Sequence, residues 1–355
     1  TYDEFSSWIR KKASGKRVPL SGSFELTFRC NLRCVHCYLD GQHEPPPELQ
    51  ELTTAEIHDI IDQIVAEGCL WLLLTGGEPL VRPDWRDIYL YAKRKGLILT
   101  LFTNGTLITP EDADFLAAWR PKMVEISLYG ATKETYERIT GIPGSYERCV
   151  HGIQLLVDRG IPLKLKTPLM TLNRDELEMM QTFAAKVGVA YHYDPILKPT
   201  SDGSLAPYKY RLQPQEIVAI EREDPHKMLM WEKARNEHPD QKVPARYLYV
   251  CRAGIETFHL DPYGKTSMCM TAREPNYDLR AGSFHDAWMN FIPTIRKEVP
   301  TDGFICGKCS LRPLCPQCPA LSKLESGNPE QPSAYLCELT HRRAGVEFSN
   351  SQQSE

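Results

Sequence analysis

From residue 24 to residue 193 the chain alternates short apolar runs with amphipathic stretches, the pattern of repeated strand–helix units around a parallel sheet. Six runs are expected as strands, at 24–28, 70–74, 97–102, 123–128, 161–167 and 189–193. Helices are expected between them at about 54–67, 84–95, 110–118, 146–159 and 173–187, several opened by capping or proline signals such as Thr53-Thr54-Ala55-Glu56 and Thr109-Pro110. The fold class is α/β. In a barrel of such units the loops at the carboxyl ends of the strands build the active site. The cysteine-bearing segment 30–38, Gly76-Gly77-Glu78, Thr103-Asn104-Gly105 and Ser127 all fall at that end.

Beyond residue 195 the alternation breaks. Pro195, Pro199, Gly203, Pro207 and Pro214 mark a loop-rich crossing, followed by a charged helical stretch near 214–237. A hairpin is expected over about 247–270, turning at Asp261-Pro262-Tyr263-Gly264. No convincing internal repeat is present, and the polar end 349–355 reads as disordered. The expected organisation is an extension over 1–19, a barrel over 20–200, a bridge over 201–245, a cysteine-rich domain over 246–345 and a tail over 346–355.

A length of 355 residues suits one barrel plus an extension. The net charge of -4 gives no electrostatic footprint for nucleic acid, so no nucleic-acid partner is expected. The longest apolar runs are far shorter than a bilayer span, so no membrane association is expected either. No export signal precedes the twelve cysteines, which suggests thiols that bind metal in a reducing, cytoplasmic compartment rather than disulfides.

The thiol spacing carries the chemistry. Cys30, Cys34 and Cys37 lie on one short loop after the first strand, and three thiolates can hold three irons of a [4Fe-4S] cube while leaving the fourth open to a chelating small molecule. A zinc knuckle or a set of buried thiols is the plainer reading of three nearby cysteines. The pair Gly76-Gly77, ahead of Glu78-Pro79, follows the second strand, where missing side chains leave the backbone open to a ligand; alone it is an ordinary turn. A second group follows near the C-terminus: Cys251, then Gly264 and Cys269, then Cys306-x-x-Cys309, five residues, Cys315-x-x-Cys318, and Cys337. One or two structural zincs could also use that set.

The triad loop, with Tyr38 after its last cysteine, taken together with Gly76-Gly77-Glu78-Pro79, resembles the radical S-adenosylmethionine superfamily over residues 20–200. The resemblance implies a partial (β/α)6 TIM-like barrel and a cluster whose open iron chelates S-adenosylmethionine. By the same resemblance, Gly76, Gly77, Glu78 and Pro79 meet the methionine amino group and Tyr38 the adenine. Thr103, Asn104 and Ser127 line the methionine and ribose side, with Lys166 or Thr167 as further contributors. The C-terminal set is similar to the SPASM extension, a twin auxiliary-cluster domain. It implies an inner [4Fe-4S] cluster on Cys251, Cys269 and Cys318 and an outer one on Cys306, Cys309, Cys315 and Cys337. Two departures stand out. The last two cysteines of the central run are two residues apart where three is usual, and no further cysteine follows Cys251. Setting aside the triad and the barrel cysteines Cys69 and Cys149 leaves seven thiols for eight places, so one inner iron has a non-cysteine ligand or an open position.

The implied activity is reductive cleavage of S-adenosylmethionine to a 5'-deoxyadenosyl radical that takes hydrogen from a ribosomal precursor peptide and installs an oxidative modification or cross-link. A flavodoxin- or ferredoxin-type protein is the expected reductant. With no separate leader-binding domain ahead of the barrel, a partner protein or direct substrate contact is expected to hold the leader. A small-molecule dehydrogenase or a peptide epimerase is the alternative within the superfamily; a nonenzymatic zinc or electron-transfer protein is the alternative outside it. No catalytic side chain is singled out. Cys69 and Cys149 read as core thiols, and one of them as hydrogen donor belongs only to the epimerase reading. His36 reads as a loop histidine, and the basic run from Arg10 to Arg17 as a solvated end.

Overall fold

A computed structural model describes residues 1–39, 49–237 and 246–347. The expected disordered end 349–355 and part of the expected bridge lie outside the described residues. The described chain forms two compact units, one of residues 1–194 and 252–295, the other of 195–251 and 296–355.

The first unit is built on a nine-stranded sheet of order β6-β5-β4-β3-β2-β1-β7-β8-β9. Strands β1 (Ser21–Glu25), β2 (Trp71–Thr75), β3 (Ile98–Thr103), β4 (Met123–Ser127), β5 (Leu163–Pro168) and β6 (Ala190–Asp194) run parallel in sequence order, the partial barrel expected from the alternation. Parallel neighbours need crossovers, and helices supply them. These are α2 (Thr54–Ala66), α3 (Trp85–Arg94), α4 (Pro110–Ala118), α5 (Lys133–Thr140), α6 (Ser145–Asp158) and α7 (Leu177–Lys186), preceded in the chain by α1 (Tyr2–Ala13). Capping boxes at Thr53 with Glu56 and at Thr109 with Asp112 start α2 and α4 where the sequence signals stand. One face of each strand packs into the core through residues such as Phe24, Leu72, Leu101, Ile126 and Leu165, all nearly fully buried. On β4 and β5 the alternate positions remain half-exposed on the other face.

Three features differ from the sequence pattern. The first strand pairs over Ser21–Glu25 instead of 24–28, because Ser21, Gly22 and Ser23 are paired from both sides, by β2 and by β7 (Thr257–Leu260). Leu26 to Phe28 continue past the sheet as an extended lead into the cysteine loop, with the Leu26 amide donating to the Thr75 carbonyl at 2.9 Å. The polar helix α5 appears where no element is expected, opened by Thr132 and closed by the left-handed Gly141. The expected hairpin forms as β7 and β8 (Lys265–Ser267), followed by β9 (Tyr277–Asp278), but β7 also pairs parallel with β1 and lengthens the barrel sheet.

In the second unit the charged stretch divides at Pro225 into α8 (Pro214–Arg222) and α9 (Pro225–Glu237). The last two long helices are α10 (Pro319–Ser326) and α11 (Ala334–Ala344). Helix α11 packs on α8: Arg343 reaches the buried Glu221 at 2.6 Å, and the Tyr335 hydroxyl donates to the Leu212 carbonyl at 2.7 Å. No helix among the described residues is long and apolar enough to cross a membrane.

Candidate active site at the cysteine loop

The loop from Cys30 to Tyr38 is pinned from two sides. The amides of Arg33 and Val35 donate to the carbonyls of Thr140 and Ile139 at the end of α5, at 2.8 and 3.0 Å. On the other side the Gly77 amide donates to the Thr27 carbonyl at 2.8 Å and the Glu78 amide to the Arg29 carbonyl at 2.9 Å, so the glycine turn pairs with the segment leading into the loop. This approach explains the two glycines. A Cβ on Gly76 would stand 2.3 Å from the Thr27 carbonyl oxygen, and one on Gly77 would stand 2.5 Å from those of Phe28 and Arg29. Gly76 also has φ near +143°, open to glycine alone in practice.

Three thiols gather on this loop. Burial, then the nearness of Cys37 and Cys30, raise the Cys34 thiol well above its ordinary range, and burial lifts Cys30 to about 11. Cys30 and Cys34, so poorly solvated, resist ionisation on their own, whereas bound iron makes thiolates of them. Donors already surround the sulfurs: the Leu32 amide reaches Cys30 Sγ at 3.4 Å, Asn104 Nδ2 lies 3.9 Å from the same sulfur, and Tyr129 hydrogen-bonds Cys34. The residues present therefore suit an anionic iron–sulfur group. Among the described residues no three His, Cys, Asp or Glu side chains form a ready-made single-ion site.

The structure brings the other sequence candidates to the same loop. Tyr38 Oη donates to Glu25 Oε1 at 2.8 Å and lies 3.5 Å from the Gly76 carbonyl. Glu78 is fully buried; its carboxylate accepts from Leu80 N, Thr103 Oγ1 and Asn104 N at 3.1, 2.8 and 2.7 Å, which ties the end of β2 to the end of β3. Its side chain is thereby engaged inside the scaffold, and burial lifts its carboxyl to about 7. Pro79 opens the short turn that follows. Asn104 holds Asn31 of the loop through Nδ2 at 2.9 Å, and its Oδ1 accepts from Thr106. Ser127 hydrogen-bonds Tyr129, so β4 also supports Cys34.

Sequence reading missed Glu25, His259, Arg273 and Tyr129. Glu25 is fully buried and receives Arg273 Nη1 and Nη2 at 2.7 and 2.9 Å, with His259 Nε2 at 3.1 Å. Burial alone would raise this carboxyl; His259 and Arg273 together pull it down to about 2. Arg273 also lies 5.8 Å from the Tyr38 ring centroid and 5.4 Å from that of Phe28, which holds the aromatic pair beside the loop. A charged residue inside the run 24–28 was the one available signal, and its charged partners His259 and Arg273 are more than 200 positions away. His36 is half-buried and neutral, pushed down to about 4 by desolvation, against Tyr129. Lys166 and Thr167 stand on β5, with Thr167 Oγ1 donating to the Leu128 carbonyl. Cys69 and Cys149 are buried core thiols, both pushed by burial to about 12.

In the second unit Cys306, Cys309, Cys315 and Cys337 form one group. Burial, then repulsion from Cys337, Cys315 and Cys309, lifts Cys306 to about 12, and burial followed by Cys315 and Cys309 lifts Cys337 to about 11. Arg312 interacts with three of these sulfurs, and its Nη1 is buried with no hydrogen-bond partner in the described structure. An orphaned donor beside four crowded thiols fits an anionic, sulfur-rich group. Cys251 of this unit interacts electrostatically with Arg296. In the first unit, Cys269 Sγ accepts from the Ala272 amide at 3.3 Å. Cys318 caps the start of α10.

Comparison with known proteins gives the same picture. The family described as the Radical SAM superfamily matches residues 24–184. The chain is 31% identical to the AdoMet-dependent heme synthase of Methanosarcina barkeri, over 86% of this chain and 93% of that protein. It is 28% identical to the mycofactocin maturase MftC of Mycobacterium tuberculosis, over 86% of this chain and 80% of that one. Among solved structures, Streptococcus suis SuiB bound to the precursor peptide SuiA shares the fold, with a TM-score of 0.67 at 15% identity over 91% of this chain and 76% of that one. The loop thiols, the glycine turn and this likeness over most of the chain agree, and the chain belongs to the radical SAM superfamily, as an enzyme.

Proposed function

We propose that this enzyme oxidises an unactivated carbon of a ribosomally made precursor peptide, installing a modification or cross-link. The observation that carries the proposal is the convergence of Tyr38, the Gly76–Gly77 turn and Asn104 on the three-thiol loop, together with a separate four-thiol group in the second unit. The names of related proteins point to peptides: a mycofactocin maturase, a bacteriocin biosynthesis protein from Bacillus subtilis, and a structure holding a precursor peptide.

Cys30, Cys34 and Cys37 would hold a [4Fe-4S] cluster, which with bound S-adenosylmethionine supplies the electron that splits the carbon–sulfur bond and so a 5'-deoxyadenosyl radical. The backbone of Gly76, Gly77 and Glu78, with Pro79 turning the chain away, would take the methionine amino group. Tyr38, fixed by Glu25, faces the adenine. Thr103, Asn104 and Ser127 hold the loop and line the methionine and ribose side. Half-exposed side chains on the inner face of β4 and β5 keep the substrate carbon within reach of the radical and away from water. The substrate would lose one hydrogen atom to the deoxyadenosyl carbon, then one electron to an auxiliary cluster and one proton to solvent, a two-electron oxidation in all. Cys306, Cys309, Cys315 and Cys337 would hold the outer auxiliary cluster. The resemblance leaves Cys251, Cys269 and Cys318 to the inner one. A flavodoxin- or ferredoxin-type protein would supply the first electron.

A second reading, a tetrapyrrole substrate, is favoured by the likeness to heme synthases. One experiment separates the two. The anaerobically reconstituted, reduced enzyme is given S-adenosylmethionine with either a perdeuterated precursor peptide encoded beside its gene or a deuterated carboxylate-bearing porphyrin. The proposal expects deuterium in 5'-deoxyadenosine and a peptide that has lost that deuterium and one further hydrogen isotope. Deuterium transfer from the porphyrin alone overturns it.

A further inference from the structure

Strands β4 and β5 place three charges on the half-exposed face of the sheet. They pair with Glu125 opposite Lys164 and Ser127 opposite Lys166, while Val124, Ile126, Leu163 and Leu165 on the other face are buried. Lys166 Nζ lies 3.9 Å from Glu125 Oε2, and Lys164 Nζ lies 4.0 Å from Glu125 Oε1. Both separations exceed hydrogen-bond reach. Among the described residues none of these three side chains makes a hydrogen bond. The Lys166 ammonium also stands over the Phe102 ring of β3, 2.9 Å from its centroid.

One carboxylate thus faces two ammonium groups, and a positive charge is left over on an inward-facing, poorly solvated surface. Such a charge is costly unless an anion joins it. Burial depresses the Lys166 ammonium to about 7 against the opposing pull of Glu125, so the resident carboxylate does not offset its desolvation. The place is also significant. Lys166 is on the same rung as Ser127, and Ser127 and Cys34 both interact with Tyr129.

We propose that Lys166, with Lys164 and Glu125 beside it, is a carboxylate-binding site, and that it anchors a carboxylate of the substrate next to the cysteine loop. The source of the carboxylate rests on the proposed function; the site itself does not. An acidic side chain or C-terminus of a peptide suits it. The methionine carboxylate of S-adenosylmethionine has the same chemistry, and the test separates the two.

The test is competitive acylation of lysines in the reconstituted holoenzyme with a neutral N-hydroxysuccinimide ester, read at Lys166 by peptide mass spectrometry. Acetate at millimolar concentration is expected to slow labelling of Lys166 several-fold, while acetamide, uncharged and of the same shape, leaves it unchanged. Equal labelling with acetate and acetamide overturns the site, whether or not the enzyme cleaves S-adenosylmethionine. The same labelling with saturating S-adenosylmethionine identifies the source. If acetate still protects Lys166 in the presence of saturating S-adenosylmethionine, the site is free for substrate. If S-adenosylmethionine alone protects Lys166, and Lys166→Met weakens its binding tenfold or more, the substrate assignment is overturned.

Discussion

Glu78 shows how one buried side chain can hold the scaffold of a site together. Buried under the turn, it accepts three hydrogen bonds and holds the ends of β2 and β3 together. Its carboxyl, raised by burial to about 7 from 4.5, stays protonated in the folded chain over a range where the unfolded chain has released its proton. Stability is therefore expected to fall as pH rises from about 4.5 through 7. Glu78→Gln should remove this slope and, by setting an amide donor against one of three donors, lower stability by about 1–3 kcal/mol. Urea unfolding of the metal-free protein at pH 5 and pH 8 checks both effects; an unchanged slope contradicts the assignment. Glu25 carries the opposite sign, since its carboxyl is held at about 2 by His259 and Arg273, and its contribution is lost only as pH falls from about 4.5 through 2.

Among the elements, the glycine turn after β2 is the part where backbone geometry leaves least freedom. Gly77→Ala places a methyl 2.5 Å from the Phe28 and Arg29 carbonyl oxygens, so the segment entering the cysteine loop must shift. Iron content after anaerobic reconstitution is expected to fall in Gly77→Ala, whereas Gly303→Ala, whose added methyl meets nothing closer than 3.7 Å, should load normally. Equal loading of the two variants contradicts the role given to the turn. Strands β2 to β6 were legible because each is a short apolar run set off by capping, proline or glycine signals. Helix α5 was not, because its polar surface hides a buried face of only Thr135, Tyr136, Ile139 and Thr140. The parallel pairing of β7 with β1 was equally hidden, since Ser21 and Thr257 meet across a separation that local periodicity does not register.

At the scale of the molecule, two groups of thiols fall in different units. Cys30, Cys34 and Cys37 lie in the first unit, and Cys306, Cys309, Cys315 and Cys337 gather in the second. What the spacing could not show is the polar setting of each group: Tyr129 on Cys34, Asn104 near Cys30, and the orphaned Arg312 donor beside the second set. Separate groups imply separable losses. Cys309→Ser is expected to lower iron and sulfide by about a third of the reconstituted total while cleavage of S-adenosylmethionine continues. Loss of all iron in that variant would mean that the two groups do not load independently.

The most direct measurement is the formation of 5'-deoxyadenosine by the reconstituted, dithionite-reduced protein given S-adenosylmethionine alone. The unaltered chain should release 5'-deoxyadenosine and methionine, and Cys34→Ala should release neither. Intact S-adenosylmethionine after reduction of a fully iron-loaded protein, or zinc without sulfide on the loop thiols, would contradict the account.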